Sequence, residues 1–452
     1  MARWRRISPA CAAWFSSRAS KSQLKFLDLL RAGLLEDALS VATVLQSGAK
    51  DGTAAMLLYA KAHVLQRLGR EQESAAVYKL AATADSDYVF PSRLEEMLLF
   101  EGAMHANPDD ARAPYYLGNL LYDRRRHKEA IALWERATQL DPDFPTTWRN
   151  LGFGYFNVLH DSKRALEAFA RARMLAPSDA RILYEQDQLL KRTGEPLNRR
   201  LESLEAHPEL VEERDDLSVE LASLYSSTGE PEHALEILLS RQFQPWEGGE
   251  GLVLTQYIRA NTLLGQRALE AGDSAKALYY FEQASNTPES ISEARHLLMN
   301  MSMIEYWLGV ANADKGETAK ATEHWERAAR NQGDFQQMQV QSISDMTYWS
   351  ATALRRLGRG DEARSLFQKI YDYALTLEQQ TPKIDYFATS LPAMLLFDED
   401  VKGRQTITAR FLQAQAQFGL GERQKGLELL RQVQELDHSH TGAIDMLQVR
   451  EE

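Results

Sequence analysis

The stretch Tyr115–Ala137, YYLGNLLYDRRRHKEAIALWERA, decides the fold. Apolar residues recur every three or four positions on both sides of the basic cluster Arg124 to Lys128. That is the period of two amphipathic helices joined by a turn. Gly118 falls inside the first helix, where glycine costs about 1 kcal/mol relative to alanine. A residue that weakens its own helix has to be compensated by a contact that only a small side chain permits.

Aligning the chain with itself identifies that contact. Leu117-Gly118 is followed by Ala130, Trp134, Ala137 and Pro142, and Leu151-Gly152 by Ala165, Phe169, Ala172 and Pro177. The same frame returns at Leu264-Gly265, Gly272, Ala277, Phe281 and Ala284, and at Leu308-Gly309, Gly316, Ala321, Trp325 and Ala328. Weaker copies contain Leu221, Tyr225, Gly229, Ala234 and Leu238; Leu354, Gly358, Ala363 and Phe367; and Gly421, Gly426 and Leu430. Upstream, Gly33 and Ala38 start one copy, and Gly69, Tyr78 and Ala81 another. Small residues in both helices let the axes approach, and the aromatic four residues after the key alanine fills the space behind. Recurrence of all five positions is the signature of the tetratricopeptide repeat, a helix-turn-helix unit of about 34 residues.

The spacing varies along the chain. Ala130 to Ala165 is 35 residues, and Ala165 to Ala234 is 69, which leaves room for a degenerate copy around Leu183, Gly194 and Ala206. From Ala234 to Ala277, Ala321 and Ala363 the steps are 43, 44 and 42. A single repeat cannot bury its apolar face alone, so neighbours stack into a continuous core. The expected architecture is all-α: an α-solenoid of stacked helix-turn-helix repeats wound as a right-handed superhelix, with no sheet. We expect a disordered or targeting-like tail over 1–20, an N-terminal array over 21–240 and a Pro/Trp/Gly joint over 241–251. A C-terminal array of longer repeats follows over 252–445, then a tail over 446–452. Residues 286–304 and 381–400 also break the period.

Composition limits the function. The 52 basic and 64 acidic side chains leave a net charge of −12. The first 27 residues hold six basic residues and no acid, so the rest stands at 46 − 64 = −18. A body of that charge repels phosphate backbones, which argues against nucleic acid as a partner. One cysteine, Cys11, excludes an internal disulfide or a cysteine-based zinc site. The longest uncharged runs, Ala38 to Ala49 and Tyr386 to Phe397, are twelve residues each. That is too short for a spanning helix, which needs roughly 18 or more. A cytoplasmic location is the expectation. The Arg-rich, acid-free opening MARWRRISPACAAWFSSRAS has the marks of an organellar transit peptide, the alternative location.

Beyond the repeats, FPSRLEEMLLFEGAMHANPDDARAPYYLGNLLYDRRRHKEAIALWERA, TTWRNLGFGYFN, QPWEGGEG and KIDYFATSLP resemble the helical C-terminal half of large bacterial proteins of unknown function. In those proteins a β-sandwich of the sugar-mutarotase type precedes the repeats. The resemblance covers roughly residues 88 to 445 and implies a bacterial, carbohydrate-related setting, with such a sandwich as a possible partner domain. This chain has no β-rich region, so chemistry carried by the sandwich is absent from it.

No cofactor motif is present. GGEG lacks the Lys-Ser/Thr of a phosphate loop. His438 and His440 have no third ligand nearby in sequence, so no metal is expected. The acidic clusters Glu212, Glu213, Asp215, Asp216 and Asp398, Glu399, Asp400 read as solvated helix ends rather than paired catalytic carboxylates. No catalytic residue is assigned.

The first helix of each tetratricopeptide hairpin lines the concave face. Three successive repeats then offer Tyr115, Asn119 and Tyr122; Arg149, Asn150 and Phe153; and Arg181, Tyr184 and Gln188. This polar-aromatic, basic surface suits a protein or peptide partner held through Asn amides and Arg forks. Asn119, Asn150 and Arg181 fall on three of the five positions of the carboxylate-clamp type of tetratricopeptide domain. Tyr115 replaces its first Lys, and Glu185 puts a negative charge at its last basic position. Alternatively Asn119 and Asn150 only tie neighbouring helices together. Trp246, Tyr386 and Phe387, in the irregular segments, are secondary contact candidates. The reading from another class is an all-helical carbohydrate-active enzyme of the α/α-barrel type, or a helical accessory domain of one.

Overall fold

A computed structural model describes residues 26–46, 52–246, 248–331, 333–336, 339–382 and 396–451. The chain forms two compact units, residues 1–177 and 178–452.

In the first unit, helix α1 (26–31) is followed by α2 (Leu35–Gln46), which packs on α3 (Gly52–Arg67), and α3 pairs with α4 (Glu71–Ala82). Next come α5 (Glu95–Ala106), α6 (Arg112–Asp123) with α7 (His127–Leu140), and α8 (Pro145–Phe153) with α9 (Ser162–Leu175). Helix α5 packs between α3 and α6, where Phe100 meets Tyr59 edge-on at 5.3 Å and Tyr116 at 5.6 Å. Helix α8 runs directly into a π-helical turn, Gly154–Val158. The turn accommodates the one residue by which the Ala130–Ala165 spacing exceeds 34: Trp134 follows Gly118 by 16 residues, whereas Phe169 follows Gly152 by 17.

The second unit opens with α10 (Ala180–Arg192), α11 (Leu197–Glu205) and the short α12 (Pro208–Glu213). Four hairpins follow: α13 (Asp215–Thr228) with α14 (Pro231–Ser240), α15 (Leu252–Glu270) with α16 (Ser274–Ser285), α17 (Ser302–Asp314) with α18 (Thr318–Arg330), and α19 (Thr347–Arg356) with α20 (Gly360–Gln379). The hairpin α21 (Val401–Leu420) with α22 (Arg423–Leu436) and a last helix α23 (Thr441–Glu451) complete it.

Local chemistry sets the helix ends. Asp161, Asp179, Asp273 and Asp400 cap α9, α10, α16 and α21 by accepting from backbone N–H groups of the first turn. Gly229 ends α13 at φ +97°, in the left-handed region glycine adopts without strain. In the two hairpin turns after Asp123 and Val158 the same left-handed position is held by Arg125 (φ +60°) and His160 (φ +53°).

Gly118 would place a Cβ 2.5 Å from Trp134 Nε1 and 3.2 Å from the Ala130 carbonyl. Gly152 does the same to Phe169 (2.5 Å), Gly265 to Phe281 (2.4 Å) and Gly309 to Trp325 (2.3 Å). The aromatic partners are all buried. The glycine-for-aromatic exchange expected from the frame is therefore how each of these hairpins closes.

Two expectations change. The solenoid is not free of strands: Asp334–Gln336 and Gln339–Gln341 pair antiparallel, with Phe335 opposite Val340. Polar-apolar alternation over DFQQMQVQ suits a short hairpin in the α18–α19 connection. The segment 241–251 lies inside the second unit, with the division between units at 177/178. It is anchored there: Phe243 is buried and its N–H donates to the Ser290 carbonyl at 2.8 Å, while Arg241 donates to the Glu212 carbonyl and to Ser218 Oγ.

Candidate functional site

Six of the groove residues belong to the first unit. Helices α6 and α8 are the leading helices of successive hairpins, and Asn150 Nδ2 donates to Asn119 Oδ1 at 2.9 Å across them. Asn119 Oδ1 also accepts from Trp134 Nε1 at 3.0 Å, and its side chain is hydrogen-bonded to Tyr115. Asn119 is thus the node of a network joining α6, α7 and α8. Buried polar groups need such partners.

The aromatic members are packed rather than loose. Tyr115 is nearly buried and stacks edge-on against Phe144 at 4.9 Å, and burial raises the pKa of its hydroxyl. Tyr122 lies between His127 (4.5 Å) and Trp134 (5.1 Å). The Arg149 guanidinium sits 5.0 Å over the Phe153 ring. This arrangement leaves a half-buried surface of amide, phenol and guanidinium on the α6–α8 face. Such a surface supplies hydrogen bonds and ring faces.

Arg181, Tyr184 and Gln188 lie on α10 of the second unit. Arg181 is exposed and pairs with Glu185 at 2.8 Å, whose side chain is only 1% exposed. Arg214 lies 5.4 Å over Tyr184, whose hydroxyl pKa is raised by burial and the nearby Asp216 and Glu220. Gln188 is buried and accepts from Arg192 at 3.1 Å. Trp246 is half-buried against a cluster of Val253, Leu254 and Tyr257. Tyr386, Phe387 and Cys11 lie outside the described residues.

Four residues of the acidic clusters have structural partners. Asp215 accepts from the Gln244 N–H at 2.8 Å, and Asp216 pairs with Arg214 at 2.6 Å. Glu399 pairs with Arg404, and Asp400 caps α21. Among the described residues no group of three or more His, Cys, Asp or Glu is placed to hold a metal.

One constellation escaped the sequence reading. Arg200 is 1% exposed and binds Asp187 through two bonds, 2.9 and 2.6 Å, and Glu220 at 3.0 Å; Lys191 reaches Glu220 at 2.6 Å. Arg200 also donates to Ser439 Oγ at 3.0 Å, a residue 239 positions away. Arg259 grips Asp445 across 186 positions, and Gln448 donates to the Ser227 carbonyl at 3.3 Å. The end of the second unit therefore returns to its beginning. Separations this large leave no local signal in one sequence.

The repeat frame is matched by family models in three places. Residues 118–158 match a model described as TPR repeat, and residues 57–88 and 308–375 match models described as tetratricopeptide repeat. Among solved structures, YrrB, described as a TPR protein with an unusual peptide-binding site, is 18% identical over 52% of this chain and 92% of its own, with a TM-score of 0.29. MamA from Desulfovibrio magneticus is 19% identical over 44% of this chain and 98% of its own, TM-score 0.26. A tetratricopeptide repeat protein from Parabacteroides merdae is 16% identical over 65% and 98%, TM-score 0.26. Tetratricopeptide repeats are thus matched in both units, and the fold is an all-α solenoid of such repeats.

Proposed function

We propose that the protein is a non-enzymatic scaffold that binds an extended protein segment along the α6–α8 face of its first unit. The observation that carries this reading is the Asn119–Asn150 bond, which fixes two leading helices side by side and aligns Tyr122, Arg149 and Phe153 beside it. Tetratricopeptide arrays are interaction surfaces, and a rigid polar-aromatic face holds a peptide at low entropic cost. Arg149 and Asn150 are the residues assigned to partner contact. Asn119 holds the surface in shape; Arg181, Tyr184 and Gln188 lie on α10 of the second unit and are a separate candidate contact surface. The carbohydrate-related setting and a β-sandwich partner rest on the sequence resemblance alone. The cytoplasmic location is supported by composition; no helix among the described residues is long and apolar enough to cross a membrane.

The α/α-barrel enzyme is the second reading, and the return of α23 to α13 and α15 is the feature that favours it. Against it, the inward carboxylates are neutralised: Glu220 by Lys191 and Arg200, Asp445 by Arg259, Glu378 by Arg410. Asp187, pushed up by burial, and Glu220, held down by Lys191 and Arg200, are both taken up by the Arg200 guanidinium, which ties them into an ion-pair cluster.

Selection of random twelve-residue peptides on the full chain tests the scaffold reading. Selected peptides should lose at least tenfold in affinity on Arg149→Glu/Asn150→Ala, with helical content unchanged. Affinity retained by that variant contradicts the assignment.

A further inference from the structure

The returning helix α23 makes contacts on two sides. Its apolar side, with Ala443 and Leu447, is part of the core formed by α19 to α22. On the side turned to α13 and α15, Asp445 meets Arg259, and Gln448 meets the Ser227 carbonyl. Hairpin-to-hairpin joints elsewhere in the unit bury apolar clusters, such as Phe281 with Ile304 and Leu308 between α16 and α17.

The receiving side is prepared for a carboxylate. Arg259 is 7% exposed, and its Nη1 donates to the Ser223 carbonyl at 3.2 Å, which orients the guanidinium. Nε and Nη2 then project together and hold Asp445 at 2.9 and 2.6 Å. A planar fork of this kind recognises a carboxylate by geometry as well as charge. One turn along α13, the Ser227 carbonyl accepts from a side-chain amide three residues after the acid. The site therefore reads a helix with a carboxylate followed three residues later by a donor.

We propose that this face of α13 and α15 is a docking site for an acidic helix of a partner protein, which the free chain fills with its own α23. The proposal concerns the second unit and stands independently of the α6–α8 surface. Helix α23 follows α22 after only four residues, Asp437 to His440, so it competes at the effective millimolar concentration of a short tether. A partner helix gains access when that contact is weakened, and its affinity is reduced by the fraction of time α23 is seated. Asp445 is 26% exposed, which leaves the clasp open to screening by salt.

The test uses the full chain and a labelled peptide of residues 437–451. Wild type is expected to bind it weakly. Asp445→Ala should bind at least tenfold more tightly, and adding Arg259→Ala should abolish the gain. Hydrogen exchange of the 441–448 amides should accelerate in Asp445→Ala while α17 to α20 stay protected. In wild type the same amides should exchange faster at 500 mM than at 50 mM salt, a result that requires no variant to fold. Equal peptide affinity for wild type and Asp445→Ala, or exchange that is independent of salt, overturns the proposal. So does acceleration spread evenly over the unit, which marks the contact as purely structural.

Discussion

Gly118 and Trp134 share one space: a Cβ on the glycine would lie 2.5 Å from the indole Nε1. Alanine at 118 would gain up to about 1 kcal/mol of helix propensity. It would also force a buried indole off its position, at about 1–3 kcal/mol of overpacking. Gly118→Ala is therefore expected to lower stability by about 1–2 kcal/mol in urea unfolding. Gly360→Ala is the control, since nothing lies within 4 Å of its Cβ position at the start of α20, and it should be neutral or slightly stabilising.

Asn119 and Arg149 separate stability from binding. Asn119→Ala leaves the Trp134 Nε1 donor and the Asn150 amide without their acceptor, at a cost of about 1–3 kcal/mol. Arg149→Glu changes a partly exposed side chain and should alter stability by less than about 0.5 kcal/mol. Thermal unfolding checks both, and the peptide affinities described above should rank the variants in the opposite order.

Glu220 gives the second unit an acid limit. Burial pushes its carboxyl up, but Lys191 and Arg200 outweigh burial and hold it at about 2, well below the usual carboxylate range. A depressed native pKa means stability present above the unfolded value near 4.5 and lost as pH falls toward 2. Wild type should therefore lose stability more steeply than Glu220→Gln between pH 4.5 and 2, measured by urea unfolding at each pH. Parallel pH profiles would show that Glu220 is not a source of the acid limit.

How much could be read from sequence depended on range. Gly118, Gly152, Gly265 and Gly309 and their aromatic partners were legible because each pair lies within one hairpin. The π-helical turn at Gly154–Val158 was visible only as one surplus residue in a spacing, with nothing to say how the chain absorbs it. The Asn119–Asn150 bond joins adjacent repeats at equivalent positions, so the repeat frame brought both residues forward. Arg200, Arg259 and Asp445 carry no periodic mark, and their contacts depend on how several hairpins accumulate curvature. The strand pair Asp334–Gln336 and Gln339–Gln341 was not legible because its alternation spans only a few residues within a long connection.

The central claim is that a protein segment lies against the α6–α8 face. A photoreactive phenylalanine analogue at position 149, compared with one at the exposed Ala132 of α7, tests it most directly on a display-selected peptide. The account predicts cross-linking from 149 and none from 132, with peptide mapping placing the adduct on the selected sequence. Equal cross-linking from both positions, or cross-linking from 132 alone, would contradict it.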